Sequence, residues 1–153
     1  MYDAVLFVLG EARWRHVQRF FAEEVRWTDG RKPVLVHGDF TETNIVVTED
    51  GKPFLVDFEN VGIGNRDHDL AWFWIHSTRH HEWKRQVLAR WFGNTVGSDR
   101  IRSEWGIRSA VTYLAIRRLR WGYLSHGDED PRQGANLALL DAAIEGGREL
   151  FPV

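Results

Sequence analysis

The 153-residue chain contains no cysteine, carries a net charge of only −2 and has just three lysines, Lys32, Lys52 and Lys84. Without cysteine there is no disulfide framework, which fits a reducing compartment. A near-neutral balance with no long basic run leaves no electrostatic footprint for nucleic acid. The densest basic stretch, Arg117-Arg118-Leu119-Arg120, is expected to spread around a solvated helix surface. No apolar run approaches the length needed to cross a membrane. Met1 to Gly10 lacks the cationic lead and long apolar core of a signal peptide, so cytoplasmic residence is expected. There is no internal repeat and no low-complexity linker. At 43% hydrophobic and 27% charged residues, the composition suits one domain with an ordinary core.

What the chain does have is concentrated between Val34 and Asp69, VLVHGDFTETNIVVTEDGKPFLVDFENVGIGNRDHD. His37, Asp39 and Asn44 have the spacing of a phosphoryl-transfer loop, in which the Asp accepts a hydroxyl proton and the Asn holds magnesium. Such a site needs a second Asp on the end of a nearby strand, and Asp57 is placed for that. Ile45-Val46-Val47 and Phe54-Leu55-Val56 are short apolar runs around a Gly-containing turn, a hairpin that returns Asp57 towards Asn44. The strand Val34-Leu35-Val36, entered after Pro33, delivers His37 and Asp39 at its end, and His37 reads as an orienting residue rather than a base. Asp69 stands before the apolar run Leu70 to Ile75, so helix capping and a contact to the loop are both open to it. Asp67 and His68 read as solvated loop residues, and Gly62 and Gly64 as turn residues.

Together HGDFTETN, LVDFE and GNRDHDLA resemble the aminoglycoside phosphotransferase and choline kinase-like family, whose pattern is His-Gly-Asp, Asn, Asp-aromatic-Glu, Gly and Asp-Leu-Ala. The resemblance implies a kinase-like fold using Mg2+ and ATP on a small-molecule hydroxyl. It makes Asp39 the catalytic base with His37 beside it, Asn44 and Asp57 the magnesium and nucleotide ligands, and Asp69 a brace for the loop. Glu59 matches the pattern without a defined role. Members of the family carry an N-terminal lobe of antiparallel strands with a phosphate-covering loop and a nucleotide-pairing Lys. Only 36 residues precede His37 here. They read as an apolar start, Ala4 to Leu9, and an amphipathic helix from about Glu11 to Trp27 with Val17, Phe20, Phe21 and Val25 on one stripe. No lysine lies on a strand upstream of the motif, and Gly10 and Gly30 are isolated. The chain therefore resembles the C-terminal lobe alone, expected to be inactive or weakly active without an N-lobe. The alternatives are a non-catalytic binding or regulatory module that keeps the kinase scaffold and uses the exposed lobe face for a partner or self-association, and a minimal phosphotransferase that completes its site as a homodimer.

The expected fold class is α+β, mostly helical: a kinase-like C-terminal lobe whose small hairpin carries Asn44 and Asp57 at its two chain ends, with the N-terminal lobe absent. One domain, 1–153, is expected, with a leading helix region 1–33, a catalytic and metal-binding segment 34–69 and a helical subdomain 70–153. Helices are expected at about His68 to His76, Glu82 to Phe92, Arg100 to Leu124 and Pro131 to Leu150, with Gly93-Asn94 ending one and Ser98-Asp99 capping another. Trp72, Trp74, Trp83, Trp91 and Trp121 fall at helical periodicity and read as core. His76, His80 and His81 read as a polar helix junction in preference to a zinc site. In the resembled family acidic groups receive cationic substrates, and Glu104, Asp128, Glu129 and Asp130 are the candidates here.

Overall fold

The computed structural model describes residues 2–76, 81–93 and 96–146. It is mostly helical, with two small antiparallel sheets. The elements in chain order are α1 (Tyr2–Thr28), β1 (Val34–Val36), β2 (Ile45–Val47), β3 (Pro53–Leu55), β4 (Gly62–Gly64), α2 (His68–His76), α3 (His81–Gly93), α4 (Gly97–His126) and α5 (Gln133–Glu145). They form two compact units, one of residues 1–29 and 108–153 and one of residues 30–107. The whole motif-bearing segment lies in the second unit.

In the first unit, Leu9, Val17, Ala115, Leu119 and Leu140 form a buried cluster. Each large side chain there contributes roughly 1.5–3 kcal/mol by leaving water. The apolar start and the amphipathic helix expected from the sequence are both helical, and they meet at Gly10, whose φ of 68° and ψ of 160° break α1. Val17 and Phe20 face inward as the stripe requires, whereas Val25 is 58% exposed. Arg13 clasps Asp141 through two hydrogen bonds of 2.8 and 2.9 Å, tying α1 to α5. Arg108 donates to the carbonyls of Ala143 and Ile144. A cation there meets the acceptor end of α5, where unpaired carbonyls and the helix dipole favour it. The expected continuation of this last helix to Leu150 passes beyond the described residues.

In the second unit, α2 buries Leu70, Ala71, Phe73 and Ile75, and α3 buries Leu88 and Phe92. Phe73 packs edge-on against Trp83 at 4.9 Å and, tilted by 47°, against Phe40 of the motif loop at 5.9 Å. The expected hairpin forms, its second strand one residue earlier than Phe54 to Val56, with Ile45 opposite Leu55, Val46 opposite Phe54 and Val47 opposite Pro53. A second pairing was not read from the sequence: Gly62-Ile63-Gly64 is strand β4, antiparallel to β1. Gly62 and Gly64 are therefore extended strand residues and not turn residues. At Gly64 a side chain would press on Val36, since a Cβ would stand 3.1 Å from its methyl group.

Further expectations are corrected by the structure. Asp67 is fully buried, not solvated: Arg31 reaches its Oδ2 at 2.6 Å and the Ser103 hydroxyl stands 3.4 Å from its Oδ1. Gly106 of α4 admits this pair, because a Cβ there would collide with Asp67 Oδ2 and stand 2.6 Å from Arg31. His68 is likewise no loop residue; it opens α2 and stacks on Trp72. The aromatic core reading also fails for Trp83 and Trp121, which are 42% and 57% exposed.

Candidate active site

β1 sets the site. Val36 is buried, and the chain continues inward so that His37 is only 5% exposed. The next residue turns back with φ 81°, and a Cβ on Gly38 would collide with the carbonyl of Asn60. Backbone conformation and space both demand glycine there. This turn presents Asp39, half-buried, at the head of a loop that ends in a short 3-10 turn, Glu42–Asn44.

A single carboxylate holds the turn in place. Asp69, in the first turn of α2, accepts from the His37 N–H at 2.8 Å and the Gly38 N–H at 3.0 Å. Of the two readings of Asp69 the loop contact is the one the structure shows: both oxygens grip the loop, from a first-turn position where the helix dipole favours an acid.

Asn44 closes the other end of the loop. Its Nδ2 donates to the Asp39 carbonyl at 2.9 Å and to Asp39 Oδ2 at 3.0 Å. Both neighbours are acceptors, which fixes the orientation of the amide. Its Oδ1 is then the atom left to meet a cation.

Asp57 is drawn to this loop through its neighbour. Val56 donates its N–H to the Asn44 carbonyl at 3.0 Å, and its own carbonyl lies 2.9 Å from His37 Nε2. A carbonyl can only accept, so Nε2 carries the proton; Nδ1 is buried without a hydrogen-bond partner. The ring sits against Phe58 at 4.9 Å and Phe40 at 6.3 Å. A ring nitrogen spent on Val56 is an orienting device between the two strand ends. Immediately after Val56, Asp57 adopts φ 64° and ψ 64°, the one non-glycine residue with positive φ among those described. Asp tolerates this region better than most side chains, yet it costs on the order of 1 kcal/mol, and such strain clusters at functional positions. The Asp57 carboxylate is exposed.

The structure therefore makes two bonded pairs, Asp69 with the backbone of His37 and Gly38 and Asn44 with Asp39, and bridges them through the backbone of Val56, which also leads to Asp57. Glu59 does not join them; it lies exposed in the short turn Phe58–Asn60. An amide oxygen and a carboxylate are hard donors of the kind magnesium takes beside phosphate oxygens, so the donor types present suit that ion.

Three residues were missed by sequence reasoning. Trp72 donates its indole N–H to Asp39 Oδ1 at 2.7 Å. The signal was there: position 72 is three residues after Asp69, hence one turn along the same helix face. Arg31 and Ser103 hold Asp67, two residues before Asp69, and nothing local marks them. Burial pushes the Asp67 carboxyl above the usual carboxylate range, with Arg31 drawing it back. Burial also lowers Lys84, whose ammonium lies 4.8 Å over the Trp74 ring, with Glu42 of the motif loop opposing that shift.

Of the acidic candidates for a cationic substrate, Asp130 is buried and committed to Arg132 at 2.9 Å, and Glu104 pairs with Arg100 at 3.1 Å. Asp128 and Glu129 remain exposed. Of the three histidines weighed as a junction or zinc site, His76 stacks on Trp72 at 4.7 Å, while His80 and the side chain of His81 lie outside the described residues. No helix among the described residues is long and apolar enough to cross a membrane.

Residues 3–105, more than half of the chain, match the model of the phosphotransferase enzyme family. No curated protein and no solved structure matches the chain.

Proposed function

We propose that this chain, which belongs to the phosphotransferase enzyme family, supplies the acceptor-activating and magnesium-holding lobe of an ATP-dependent small-molecule phosphotransferase. The observation that carries the proposal is the bonded set around Asp39. Its carboxylate is held by Asn44 and Trp72, its loop is gripped by Asp69, and Asp57 is attached through Val56.

In this reading Asp39 orients the acceptor hydroxyl and takes its proton as the γ-phosphoryl of ATP is transferred in line. Asn44 through Oδ1 and Asp57 through its carboxylate would hold a magnesium ion. Bound magnesium neutralises charge on the phosphates. His37 keeps the two strand ends in register. Catalysis of this kind rests on positioning more than on covalent chemistry, which is why so much of the loop is tied down.

The nucleotide needs contacts on its other side, and we assign these to a second lobe outside the 30–107 unit. Exposed apolar side chains on the two sheets favour a covering partner. Leu35 and Ile63 face each other across β1 and β4 and are each 72% exposed. Val46 and Phe54, partners in the hairpin, are 47% and 54% exposed. Solvated strands of this character mark interaction surfaces.

The test is a phosphoryl-transfer screen with γ-labelled ATP and hydroxylated small molecules, run on the chain alone and with a supplied N-terminal lobe. Asp39→Asn should lower turnover by roughly 10²–10⁴-fold, the range of a general base. Full turnover in that variant would refute the assignment.

A further inference from the structure

The carboxylate assigned as the base has two anchors, and the second belongs to no part of the motif. Asp39 Oδ2 takes the Asn44 amide at 3.0 Å, and Oδ1 takes the Trp72 indole N–H at 2.7 Å. An aspartate turns easily about its last torsion, which is broad and roughly two-fold. One donor would leave it free to swing. Two donors on separate oxygens fix its plane, and since an ionised carboxylate offers about four acceptor sites, lone pairs remain for an acceptor hydroxyl.

The indole is itself held. Trp72 stacks with His76 at 4.7 Å and 18° and with His68 at 6.0 Å and 27°, its neighbours one turn away in each direction along α2. Stacking immobilises the ring plane and so the direction of the N–H. The same helix presents Asp69 one turn earlier, where it grips the loop backbone. One rigid element thus sets the backbone of the loop and the side chain it carries.

We infer that Trp72 is a positioning residue of the transfer site, its indole N–H fixing the plane of the Asp39 carboxylate. The inference rests on the phosphotransferase reading given above. Phenylalanine at position 72 keeps an aromatic ring in the stack but removes the N–H together with part of the indole's bulk, so the indole's response to Asp39→Ala, in which Trp72 is untouched, separates the hydrogen bond from packing.

Two measurements on the whole chain test this. In ¹⁵N-tryptophan-labelled protein, the indole signal assigned through Trp72→Phe should shift and lose protection from exchange in Asp39→Ala, while the other tryptophan signals stay in place as a report of the fold. With turnover established, Trp72→Phe should lower kcat roughly 10- to 100-fold, as expected for a lost hydrogen bond to a charged group, with KM for ATP within about twofold, because binding is left intact. An indole signal indifferent to Asp39→Ala, or an unchanged kcat in Trp72→Phe, would overturn the inference. Should Trp72→Phe fail to fold, the unsubstituted Trp72 signal can be identified by elimination among the other tryptophans, and its response to Asp39→Ala still decides. A responsive indole in a chain that never turns over, even with an N-terminal lobe supplied, would instead count against the phosphotransferase reading.

Discussion

Replacing Arg31 with methionine should destabilise the protein by about 3–5 kcal/mol at neutral pH, the usual cost of stranding one member of a buried ion pair. Asp67 is 0% exposed and Arg31 only 17%, so water can make up little of the loss. Ser103 at 3.4 Å and the half-exposed Arg66 at 3.8 Å are weak substitutes. The penalty should depend on pH. Burial already raises the Asp67 carboxyl in the native chain, even with Arg31 present. A carboxyl raised on folding gives its full stability below its unfolded pKa of about 3.9 and loses it as pH climbs through the folded value. Removing Arg31 raises the folded value further, so the loss deepens and extends to higher pH. Urea denaturation at pH 7 and near pH 4 should then show the variant closing on the parent in acid. A pH-independent difference would mean that lost packing, not the stranded charge, is responsible. Adding Asp67→Asn to the variant should restore much of the stability at pH 7, since a neutral buried pair avoids the isolated charge.

Asp69→Ala should cost about 3–6 kcal/mol, from two hydrogen bonds to a charged acceptor at roughly 1.5–3 kcal/mol each. The N–H groups of His37 and Gly38 would lose their acceptor, and the turn that Gly38 makes against Asn60 would lose its clamp. Asp69→Asn separates the two roles of this residue. If it acted only as a first-turn acid of α2, the amide would cost about 0.3–1 kcal/mol. As a two-oxygen clamp it cannot be replaced by Asn, which offers one acceptor and turns an NH2 group on the other N–H. Thermal unfolding of both variants should give losses of similar size, and a nearly silent Asp69→Asn would contradict the clamp.

Much of this arrangement was legible because its signals are local. The spacing of His37, Asp39 and Asn44 needs only one loop, and the turn between Val47 and Pro53 announces the hairpin that returns Val56 to that loop. The helix α2 was legible from its apolar run, although His68, which opens it, also read as a loop residue. Asp67 was misread because its partners, Arg31 and Ser103, lie 36 residues to either side, and no local pattern separates a buried paired acid from a solvated one. Gly62-Ile63-Gly64 carries the glycines of a turn, and only pairing with Val34–Val36 makes it a strand. Periodicity placed Trp72, Trp83 and Trp121 on helices, but which face a neighbour covers is a tertiary fact. Trp83 and Trp121 are largely exposed, and Trp72 spends its polar edge on Asp39.

The most direct test of the magnesium and nucleotide assignment is calorimetric titration of the chain with ATP, with and without Mg2+, beside an Asp57→Ala control. Asn44 and Asp57 as the metal-holding pair predict weak binding, in the millimolar range for a nucleotide gripped on one side, that requires magnesium and disappears in Asp57→Ala. Binding that ignores magnesium, survives the substitution, or is undetectable at millimolar ATP would contradict it.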